Sequence, residues 1–407
     1  MKITVLAGYF EPEQSADTHL NADIANGLAA KGHDVTVVVP FPTRGVSKER
    51  QQEIFKTPNS SEKYSLIRVG KPETYSQGFV LKALRLIGKT CQIYQAARKI
   101  DTDVYFVVST PPFLGYAAAR LAKKNKVVYK LQDVFPDSLM HSKNIGERNL
   151  LIKLLRKFEH KVYDRVSRII AISDDVKSTV LSRGVSEEKV NVIYDWIDAE
   201  KCIPIPKTDN FLYDRFELDR SAFYVGYAGN IGLVQNVDTI VDAANILKKS
   251  CPEIVFLIIG DGACLDAVQK KAKELGTDNV RFFPMQPAEN VPYVYSLSDI
   301  GLVSLKKGVS KCALPSKTWS VMACGRPVIC EIDSDCCLCR IVENNNCGYS
   351  VEPCDSALIA AKIEELYHNR ELVSSLGANA RNYIENNLTN AMAIERYDCV
   401  LSAVLEA

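Results

Sequence analysis

The chain has 407 residues, of which 47% are hydrophobic and 24% charged, a composition typical of a globular protein too long for one hydrophobic core. No apolar stretch reaches the roughly 18 residues of a membrane-spanning helix, and MKITVLAGYFEPEQ turns acidic too early for a secretory signal, so we expect a cytoplasmic protein. The net charge of +1 hides +9 on residues 1–195 and −8 on the remainder. The two halves should therefore meet different partners, an anionic membrane surface being one candidate for the first.

Apolar, β-branched segments alternate with amphipathic segments of helix length along almost the whole chain, which predicts parallel sheets covered by helices on both faces. Segment 195–211 has two prolines and little periodicity, so it is interpreted as the connection between two domains. The predicted strands are 2–8, 34–40, 65–70, 103–109, 126–131, 168–173 and 190–194 before this segment, and 223–229, 253–260, 279–284, 299–305, 326–332 and 348–353 after it.

The simplest α/β architecture for this pattern is a pair of Rossmann-like domains that face each other across a cleft. The first would span residues 1–195 and the second residues 196–387. The last helix, near 388–407, is long enough to cross back and pack on the first domain.

Two glycine turns follow predicted strands of the second domain. The first contains Gly229, Asn230 and Gly232, and the second contains Gly260 and Gly262. Ligands of open α/β sheets bind beyond the carboxyl ends of the strands, so the turns predict an anion, most simply a phosphate. A tight turn needed only for packing is the alternative. Neither turn has the full G-x-G-x-x-G order of a dinucleotide site, and the sequence has no G-x-x-x-x-G-K-[ST] loop for ATP.

The segment CALPSKTWSVMACGRPVI, residues 312–329, reads as the start of a helix. Pro315 fixes the first turn, Ser316 is a predicted cap, and Lys317 places an ammonium in the first turn. A cation there is disfavoured unless an anion lies near it. Lys317 is therefore a candidate phosphate ligand, with a solvated lysine as the alternative, and with the first glycine turn it would hold a diphosphate from both sides.

Eight of the thirteen cysteines lie between Cys312 and Cys354, including CCLC at 336–339. A single Cys-x-x-Cys without a matching second pair is a weak zinc signal. We expect most of these cysteines to be small buried residues in a reducing compartment.

Several segments together resemble a known family. YAGNIGLVQNVDTIVDAA, IIGDGACLDAVQKKA, LPSKTWSVMACGRPVI and NNNCGYSVEPCD are similar to the donor domain of retaining glycosyltransferases of family 4, which have the GT-B fold. GYFEPEQSADTHLNADIANGLAAKGHDVTVVVP, YKLQDVFPDS and VNVIYDWID are similar to the acceptor domain of that family. The resemblance covers nearly the whole chain in order.

The resemblance implies transfer of a sugar, with retained anomeric configuration, from a nucleotide diphosphate donor, usually a UDP-sugar. The acceptor would be a saccharide or a lipid-linked saccharide of a surface polysaccharide or glycolipid, made on the inner face of the membrane. No metal, other cofactor or nucleic-acid partner is expected. Two alternatives stay open: a nucleotide-sugar 2-epimerase, which shares the two-domain fold, and a non-catalytic partner subunit.

The resemblance also implies roles for individual residues of the second domain. The first glycine turn, Ser316 and Lys317 would hold the diphosphate, and the backbone around Pro284 and Met285 would take the base. The candidate donor-binding residues are therefore Gly229, Asn230, Gly232, Gly262, Pro284, Met285, Ser316 and Lys317.

Three residues of the first domain are candidates for acid–base chemistry. Glu13 and Asp133 follow predicted strands, would face the cleft near the acceptor, and could orient or deprotonate its hydroxyl; a helix cap or a solvated loop carboxylate is the alternative for each. His19 is a general base by residue type, although a lone histidine in a helix is more often structural. DSD at 333–335 matches the metal-binding D-x-D of a different glycosyltransferase fold and is interpreted here as a loop after a strand.

The sequence departs from the family at two places. Many members carry a glutamate pair spaced E-x7-E around the helix that Lys317 opens, and here Cys312 and Ser320 occupy those positions. The basic residue that commonly follows the first glycine turn is also missing. The residues in its place are Leu233, Gln235 and Asn236. Lys317 would then hold more of the phosphate charge, alone or with nearby lysines. These lysines are Lys306, Lys307 and Lys311.

Two predicted helices of the first domain, 79–100 and 148–168, are apolar on one face and rich in Lys and Arg. This composition suits adsorption on anionic lipid. Two core-packed helices with solvated basic faces are the alternative.

Overall fold

The computed structural model describes residues 1–13, 17–43, 45–56, 63–72, 79–143 and 145–406. Contacts divide them into two structural units, each built on a parallel β-sheet. The first unit runs from Met1 to Asp195, apart from His141–Lys143, and takes in the described residues from Ala391 onward. The second runs from Trp196 to Asn390 and takes in His141–Lys143. The prediction of two parallel-sheet α/β domains is confirmed.

In its described residues the first unit has a seven-stranded sheet. Its strands are β1 (Lys2–Leu6), β2 (Asp34–Pro40), β3 (Ser65–Val69), β4 (Val104–Val108), β5 (Lys126–Leu131), β6 (Arg168–Ala171) and β7 (Val190–Val192). Its helices before the second unit are α1 (Thr18–Ala30), α2 (Lys48–Lys56), α3 (Phe79–Ala97), α4 (Leu114–Leu121), α5 (Asp137–Lys143), α6 (Leu150–Arg165) and α7 (Asp174–Leu181). The strand order is β3-β2-β1-β4-β5-β6-β7.

In its described residues the second unit has a six-stranded sheet in the order β10-β9-β8-β11-β12-β13. The strands are β8 (Phe223–Ala228), β9 (Ile254–Ile259), β10 (Val280–Phe283), β11 (Ile300–Ser304), β12 (Val328–Glu331) and β13 (Gly348–Val351). The helices are α8 (Leu212–Arg215), α9 (Val237–Ser250), α10 (Leu265–Leu275), α11 (Val291–Ser296), α12 (Lys317–Ala323), α13 (Cys337–Asn344), α14 (Ser356–His368) and α15 (Arg370–Asn387).

The apolar strands are buried on both faces. All five residues of β4 (VYFVV) and of β11 (IGLVS) are buried. A strand with helices on both sides of its sheet needs apolar residues at every position rather than at every second one. This requirement explains why the strands stand out in the sequence as continuous apolar segments.

Each sheet has a point where the direction of winding reverses. β1 lies between β2 and β4, and β8 lies between β9 and β11, so in each sheet the chain first winds to one side and then to the other. The connections after the two neighbouring strands diverge there and leave a crevice at the carboxyl edge, the usual ligand site of such sheets. The first glycine turn follows β8 directly.

The last helix, α16 (Asn390–Glu406), packs within the first unit. The ring of Tyr397 meets Phe106 of β4 edge to face at 5.5 Å between ring centres, and Asp398 pairs with His33 Nε2 at 2.8 Å. Ile394 lies against Gly27 of α1. The predicted return of this helix to the first domain is confirmed.

The predicted connecting segment is not a free linker. Residues 196–211 hold no helix or strand in the described chain, but they are fixed within the second unit. The guanidinium of Arg381 on α15 donates to the carbonyls of Ala199 and Cys202, each at 2.7 Å. Ile197 bridges to Thr389. Periodicity could not show this, because the anchoring residues are far away in the chain.

Candidate functional site

The two glycine turns of the second unit are held against each other. The amide of Gly229 donates to the carbonyl of Ile259, the last residue of β9, at 2.9 Å. Gly260 approaches so closely that a Cβ on it would lie 1.9 Å from the carbonyl oxygen of Gly229. The φ angles of these glycines, +137° and +157°, are ones that L side chains rarely adopt. Backbone packing alone therefore explains the glycine at 260.

Side-chain contacts close the second half of the first turn. Gln235 Oε1 accepts hydrogen bonds from Asn230 Nδ2 and from the amide of Gly232, both at 3.2 Å. A Cβ at Gly262 would lie 2.4 Å from the carbonyl oxygen of Ile231, so the second turn packs on the first there too. Gln235 thus orders the turn and takes up the hydrogen bond of the Gly232 amide. It is one of the residues that stand in place of the family's basic side chain.

The structure brings Lys317 to the first turn. Its Nζ lies 2.6 Å from Tyr227 Oη and 3.9 Å from the centre of the Tyr227 ring. It also lies 3.1 Å from where a Cβ on Gly229 would be. The Tyr227 hydroxyl donates to the carbonyl of Asn230 at 2.6 Å. Burial lowers the pKa of Lys317 to about 7, and no carboxylate of the described residues pairs with it, so the protein does not balance its charge there.

The predicted cap of α12 is wrong. Ser316 stands at the cap position, but its side chain makes no capping hydrogen bond. The Pro315 carbonyl closes the first turn instead, accepting from the amide (3.0 Å) and the hydroxyl (2.8 Å) of Thr318. Ser316 itself is exposed beside Lys317 in the sequence.

Pro284 and Met285 follow β10 and are exposed, Met285 to 52%. The last residue of that strand, Phe283, accepts a hydrogen bond from the amide of Gly260 at 3.0 Å. Gln286 Nε2 donates to the Pro284 carbonyl at 2.9 Å. The predicted base-binding residues therefore lie at the same carboxyl edge of the sheet as the glycine turns.

Neither residue at the family's paired glutamate positions offers a charge. Cys312 is buried with its Sγ directed to the carbonyl of Val309 at 3.2 Å, and Ser320 is half-buried. Of the lysines named as helpers, Lys311 pairs with Asp335 at 2.6 Å. The other two, Lys306 and Lys307, are exposed.

A buried carboxylate that the sequence reasoning missed lies at the end of β12. Glu331 accepts hydrogen bonds from Asn236 Nδ2 (2.5 Å), Ser304 Oγ (2.5 Å) and the amide of Cys354 (2.7 Å). Burial raises the pKa of this carboxyl, and the hydrogen bonds oppose the effect. Since Asn236 precedes α9, Glu331 positions the helix that follows the first glycine turn. The sequence feature that could have indicated this carboxylate is the single acidic residue in the otherwise apolar segment VICEI.

The DSD segment is a loop after a strand, as interpreted from the sequence. Asp333 is buried and accepts from the amide of Gly308 (2.9 Å) and from Ser310 Oγ (2.7 Å), which holds the loop after β11. The neighbouring CCLC motif is buried too, with the Sγ atoms of Cys336 and Cys339 3.5 Å apart.

Asp133 follows β5 in the first unit and is half-buried. Burial is the main cause that raises its pKa to about 6, and the charges of Asp17 and Asp195 add to it. Asp195 forms a buried ion pair with Lys130 at 2.9 Å. Periodicity does not indicate this pair, because 65 residues separate its members. The structure thus gives Asp133 an acidic neighbourhood that periodicity did not indicate.

Glu13 and His19 differ in their surroundings. Glu13 is 5% exposed and accepts a hydrogen bond from the amide of Thr43 at 2.7 Å, so it anchors a loop and is neither a helix cap nor a solvated carboxylate. His19 is the second residue of α1 and has an exposed surface. Desolvation by surrounding atoms still lowers its pKa, and the charge of Asp23 partly opposes this.

The first unit exposes two rows of apolar side chains. Helices α3 and α6 both pack on α4. Their exposed apolar residues are Leu81, Leu84 and Ile87 on α3 and Leu150, Leu151 and Leu154 on α6. None of the helices in the described residues combines the length and the apolar composition needed to span a bilayer.

Glycine turns and a desolvated lysine at the switch point of a parallel sheet are features shared with the broad class of α/β proteins that bind ligands at the carboxyl edge of the sheet. Family models narrow the class. The model described as Glycosyltransferase Family 4 matches residues 19–201, and the model described as Glycosyl transferases group 1 matches residues 213–383. The chain belongs to glycosyltransferase family 4 and is a glycosyltransferase.

Individual relatives agree. The Pseudomonas aeruginosa protein named "Probable glycosyltransferase WbjE" is 25% identical over 99% of this chain and 98% of its own length. WcaI of Escherichia coli (strain K12), named as a colanic acid biosynthesis glycosyl transferase, is 23% identical over 98% of both chains. The Anabaena protein Alr3699/HepE, solved in complex with UDP and glucose, shares the fold with a TM-score of 0.73 and 17% identity over 99% of this chain and 100% of its own. The epimerase and partner-subunit alternatives gain no support from these comparisons.

Proposed function

We propose that this glycosyltransferase takes its sugar from a UDP-sugar and that Lys317 holds the donor diphosphate beside the Gly229 turn. The observation that carries the proposal is the ammonium of Lys317 at the switch point of the second sheet, where no carboxylate in the described part of the chain pairs with it. The structure of HepE with UDP and glucose supports the choice of nucleotide. Retention of the anomeric configuration follows from the family resemblance and belongs to the same proposal.

The chemistry of the lysine fits this role. Desolvation makes the charged form of Lys317 costly in the free protein, and a phosphate oxygen within hydrogen-bond reach would favour it again and raise the pKa above 7. Tyr227 keeps the side chain directed at the turn. Because Gln235 occupies the Gly232 amide, Lys317 carries a larger share of the phosphate charge, with the Ser316 hydroxyl as an additional donor. The donor site needs no metal ion in this proposal.

The base would lie on the backbone of Pro284 and Met285. Both residues are exposed at the same edge of the sheet as the glycine turns. Backbone amide and carbonyl groups there can read the edge of a planar base without a charged side chain.

Asp133 is the favoured general base for the acceptor hydroxyl. A carboxyl with a pKa of about 6 is ionised at neutral pH yet remains more basic than an ordinary aspartate, which suits proton acceptance. Glu13 is a weaker candidate because its carboxylate already holds the Thr43 amide. His19 is the third candidate.

The acceptor is proposed to be a lipid-linked saccharide at the cytoplasmic face of the membrane, in polysaccharide or glycolipid synthesis. The exposed leucines of α3 and α6 support this, since apolar side chains among basic residues favour an anionic lipid surface. The names of relatives such as WcaI supply the polysaccharide context.

The test is donor binding by the wild type, by Lys317→Ala and by the control Lys270→Ala, which changes an exposed lysine of the same unit. Thermal shift and calorimetry are measured with UDP, GDP, ADP and NAD. A charged hydrogen bond contributes about 1.5–3 kcal/mol, so Lys317→Ala should weaken UDP binding about 10- to 100-fold while the control matches the wild type. Binding of GDP or ADP in place of UDP would contradict the choice of base. Binding of no nucleotide, or of NAD alone, would overturn the proposal.

A further inference from the structure

Three side chains that are common metal ligands converge on the second unit, away from the glycine turns. Cys251 directly follows α9, and Glu364 and His368 lie one turn apart on α14. Cys251 Sγ is 3.4 Å from Glu364 Oε1 and 4.0 Å from His368 Nε2. All three ligand atoms lie within 4.8 Å of one another.

These separations are close to the edges of a zinc coordination tetrahedron. Bonds of about 2.3 Å to sulfur and about 2.0 Å to nitrogen or oxygen, at the tetrahedral angle, place sulfur about 3.5 Å from each of the other two ligands. The distance from Cys251 to Glu364 already has this value within about 0.1 Å. The distance from Cys251 to His368 needs only a small side-chain rotation. The (i, i+4) spacing of Glu364 and His368 directs both side chains to the same side of α14.

The cluster offers a divalent cation three different ligand atoms in one place. The Cys251 side chain is buried at the margin of the apolar core, and its sulfur also meets a carboxylate and an imidazole. A divalent ion placed among the three groups would contact all of them at once, because their ligand atoms lie within 4.8 Å of one another. A mixed sulfur, nitrogen and oxygen set selects zinc over magnesium or calcium, which prefer oxygen alone.

We propose that Cys251, Glu364 and His368 bind one Zn²⁺ through Sγ, a carboxylate oxygen and Nε2, with water in the fourth position. Binding converts the thiol to the thiolate and releases its proton to solvent. His368 is exposed and Glu364 half-buried, so the fourth position faces solvent and an ion can enter without unfolding.

The site is separate from the proposed donor chemistry. Cys251 precedes β9 and Gly260 follows it, so the six-residue strand holds the two sites about 20 Å apart. The ion would join the C-terminal ends of α9 and α14, which pack together and share apolar core residues. Its expected effect is therefore on the stability of the second unit, independently of donor turnover.

The test uses the full chain, stripped of metal with a chelator under reducing conditions. Zinc is titrated in against a chromophoric chelator, and cobalt is used as a spectroscopic probe of the ligands. The wild type should bind one equivalent of zinc, gain thermal stability, and show with cobalt a thiolate charge-transfer band and the d–d intensity of a four-coordinate ion. Cys251→Ser and His368→Ala should each weaken zinc binding by about 100-fold or more, since changes in supporting residues alone cost 10- to 100-fold.

Matched controls are Cys399→Ser and His160→Ala, which change an exposed cysteine and an exposed histidine of the first unit and should bind zinc as the wild type does. Far-UV circular dichroism and the melting temperature of the metal-free forms establish that each variant is folded; because His368 is exposed, His368→Ala decides the question if Cys251→Ser is unstable. Unchanged zinc affinity in His368→Ala would overturn the proposal. So would a thiolate–cobalt band that persists in Cys251→Ser, since another thiol such as Cys336 or Cys339 would then hold the ion.

Discussion

The Lys317 ammonium lies against the face of Tyr227, 3.9 Å from the ring centre, and also 2.6 Å from the phenolic oxygen of the same residue. Tyr227 belongs to β8 and Lys317 opens α12, so the pair joins two elements that are 90 residues apart in the chain. Ring and hydroxyl together hold the ammonium beside Gly229 in a partly desolvated position. Because the Tyr227 side chain is neutral, it does not neutralise the charge of the ammonium. The pKa of Lys317 is therefore sensitive to a bound anion.

Donor binding should depend on pH through Lys317. With its pKa lowered to about 7, this lysine is charged below pH 7 and neutral above it, so affinity for UDP-glucose should fall as the pH rises from 6 to 8. The diphosphate diester of UDP-glucose does not titrate in this range, so the ligand does not obscure the effect. Calorimetry in two buffers of different ionisation enthalpy should show proton uptake on binding at pH 7.5. Lys317→Arg keeps its charge and should lose this pH dependence; a profile identical to that of the wild type would place the titration elsewhere.

Asp133→Asn should lower sugar transfer by about 10²- to 10⁴-fold, the usual contribution of a general base. Nucleotide affinity should stay unchanged, because Asp133 belongs to the first unit and the donor residues to the second. In the wild type kcat should fall as the pH drops through about 6, where the carboxylate becomes protonated. Asp101→Asn, at the opposite edge of the same sheet, is the matched control and should transfer sugar normally. A variant Asp133→Asn that keeps full kcat would exclude this residue as the base.

Two substitutions of Glu13 separate an anchoring role from a catalytic one. Glu13→Gln keeps an oxygen that accepts from the Thr43 amide, so stability and activity should both remain near wild type. Glu13→Ala leaves that amide without its partner and should reduce the free energy of unfolding by about 1–3 kcal/mol. Urea denaturation and a transfer assay measure the two effects. Loss of transfer in a stable Glu13→Gln protein would instead identify Glu13 as the base.

The packing of the C-terminal helix α16 against α1 can be tested at Gly27. A Cβ at this position would lie 2.5 Å from Ile394 Cγ1, so Gly27→Ala should destabilise the protein by about 1–2 kcal/mol despite the better helix propensity of alanine. In the background of Ile394→Ala the obstructing atoms are gone, and the same substitution should become stabilising by about 0.5–1 kcal/mol. A double-mutant cycle by urea denaturation measures this reversal of sign. Equal effects in both backgrounds would mean that α16 does not pack at Gly27.

The exposed leucines of α6 should control binding to anionic lipid. Replacing Leu150, Leu151 and Leu154 with serine removes apolar area without altering charge, and these side chains are 73%, 50% and 56% exposed, so stability should change little. Co-sedimentation with vesicles containing phosphatidylglycerol should fall in this variant, whereas a triple serine variant at Leu233, Ile246 and Leu275, exposed positions of the second unit, should bind like the wild type. If both variants bind the vesicles equally, the exposed leucines of α6 are not the surface that binds lipid.

The sequence predicted the elements well and the contacts between them poorly. Every predicted strand is present, shortened by one to three residues in most cases, because burial on both faces requires a run of apolar residues that is visible locally. The position of Lys317 in the first turn of α12 was also predicted from the sequence.

The cap assigned to Ser316 was wrong because the Pro315 carbonyl accepts the hydrogen bond of the Thr318 amide in the first turn. The ordering of the glycine turn by Gln235 and the anchoring of segment 196–211 by Arg381 were missed, since one needs side-chain geometry and the other a partner far along the chain.

The sequence by itself determined the two parallel α/β domains and the positions of the glycine turns, and its motifs carried the resemblance to the family. The domains and the turns depend on periodicity and residue size within about ten neighbouring positions. Only the tertiary structure decided which polar groups meet: Lys130 with Asp195, Lys317 with Tyr227, and the sulfur of Cys251 with Glu364 and His368. Protonation and ligand affinity depend on desolvation and on charges a few ångströms away, and folding brings those groups together from distant parts of the chain.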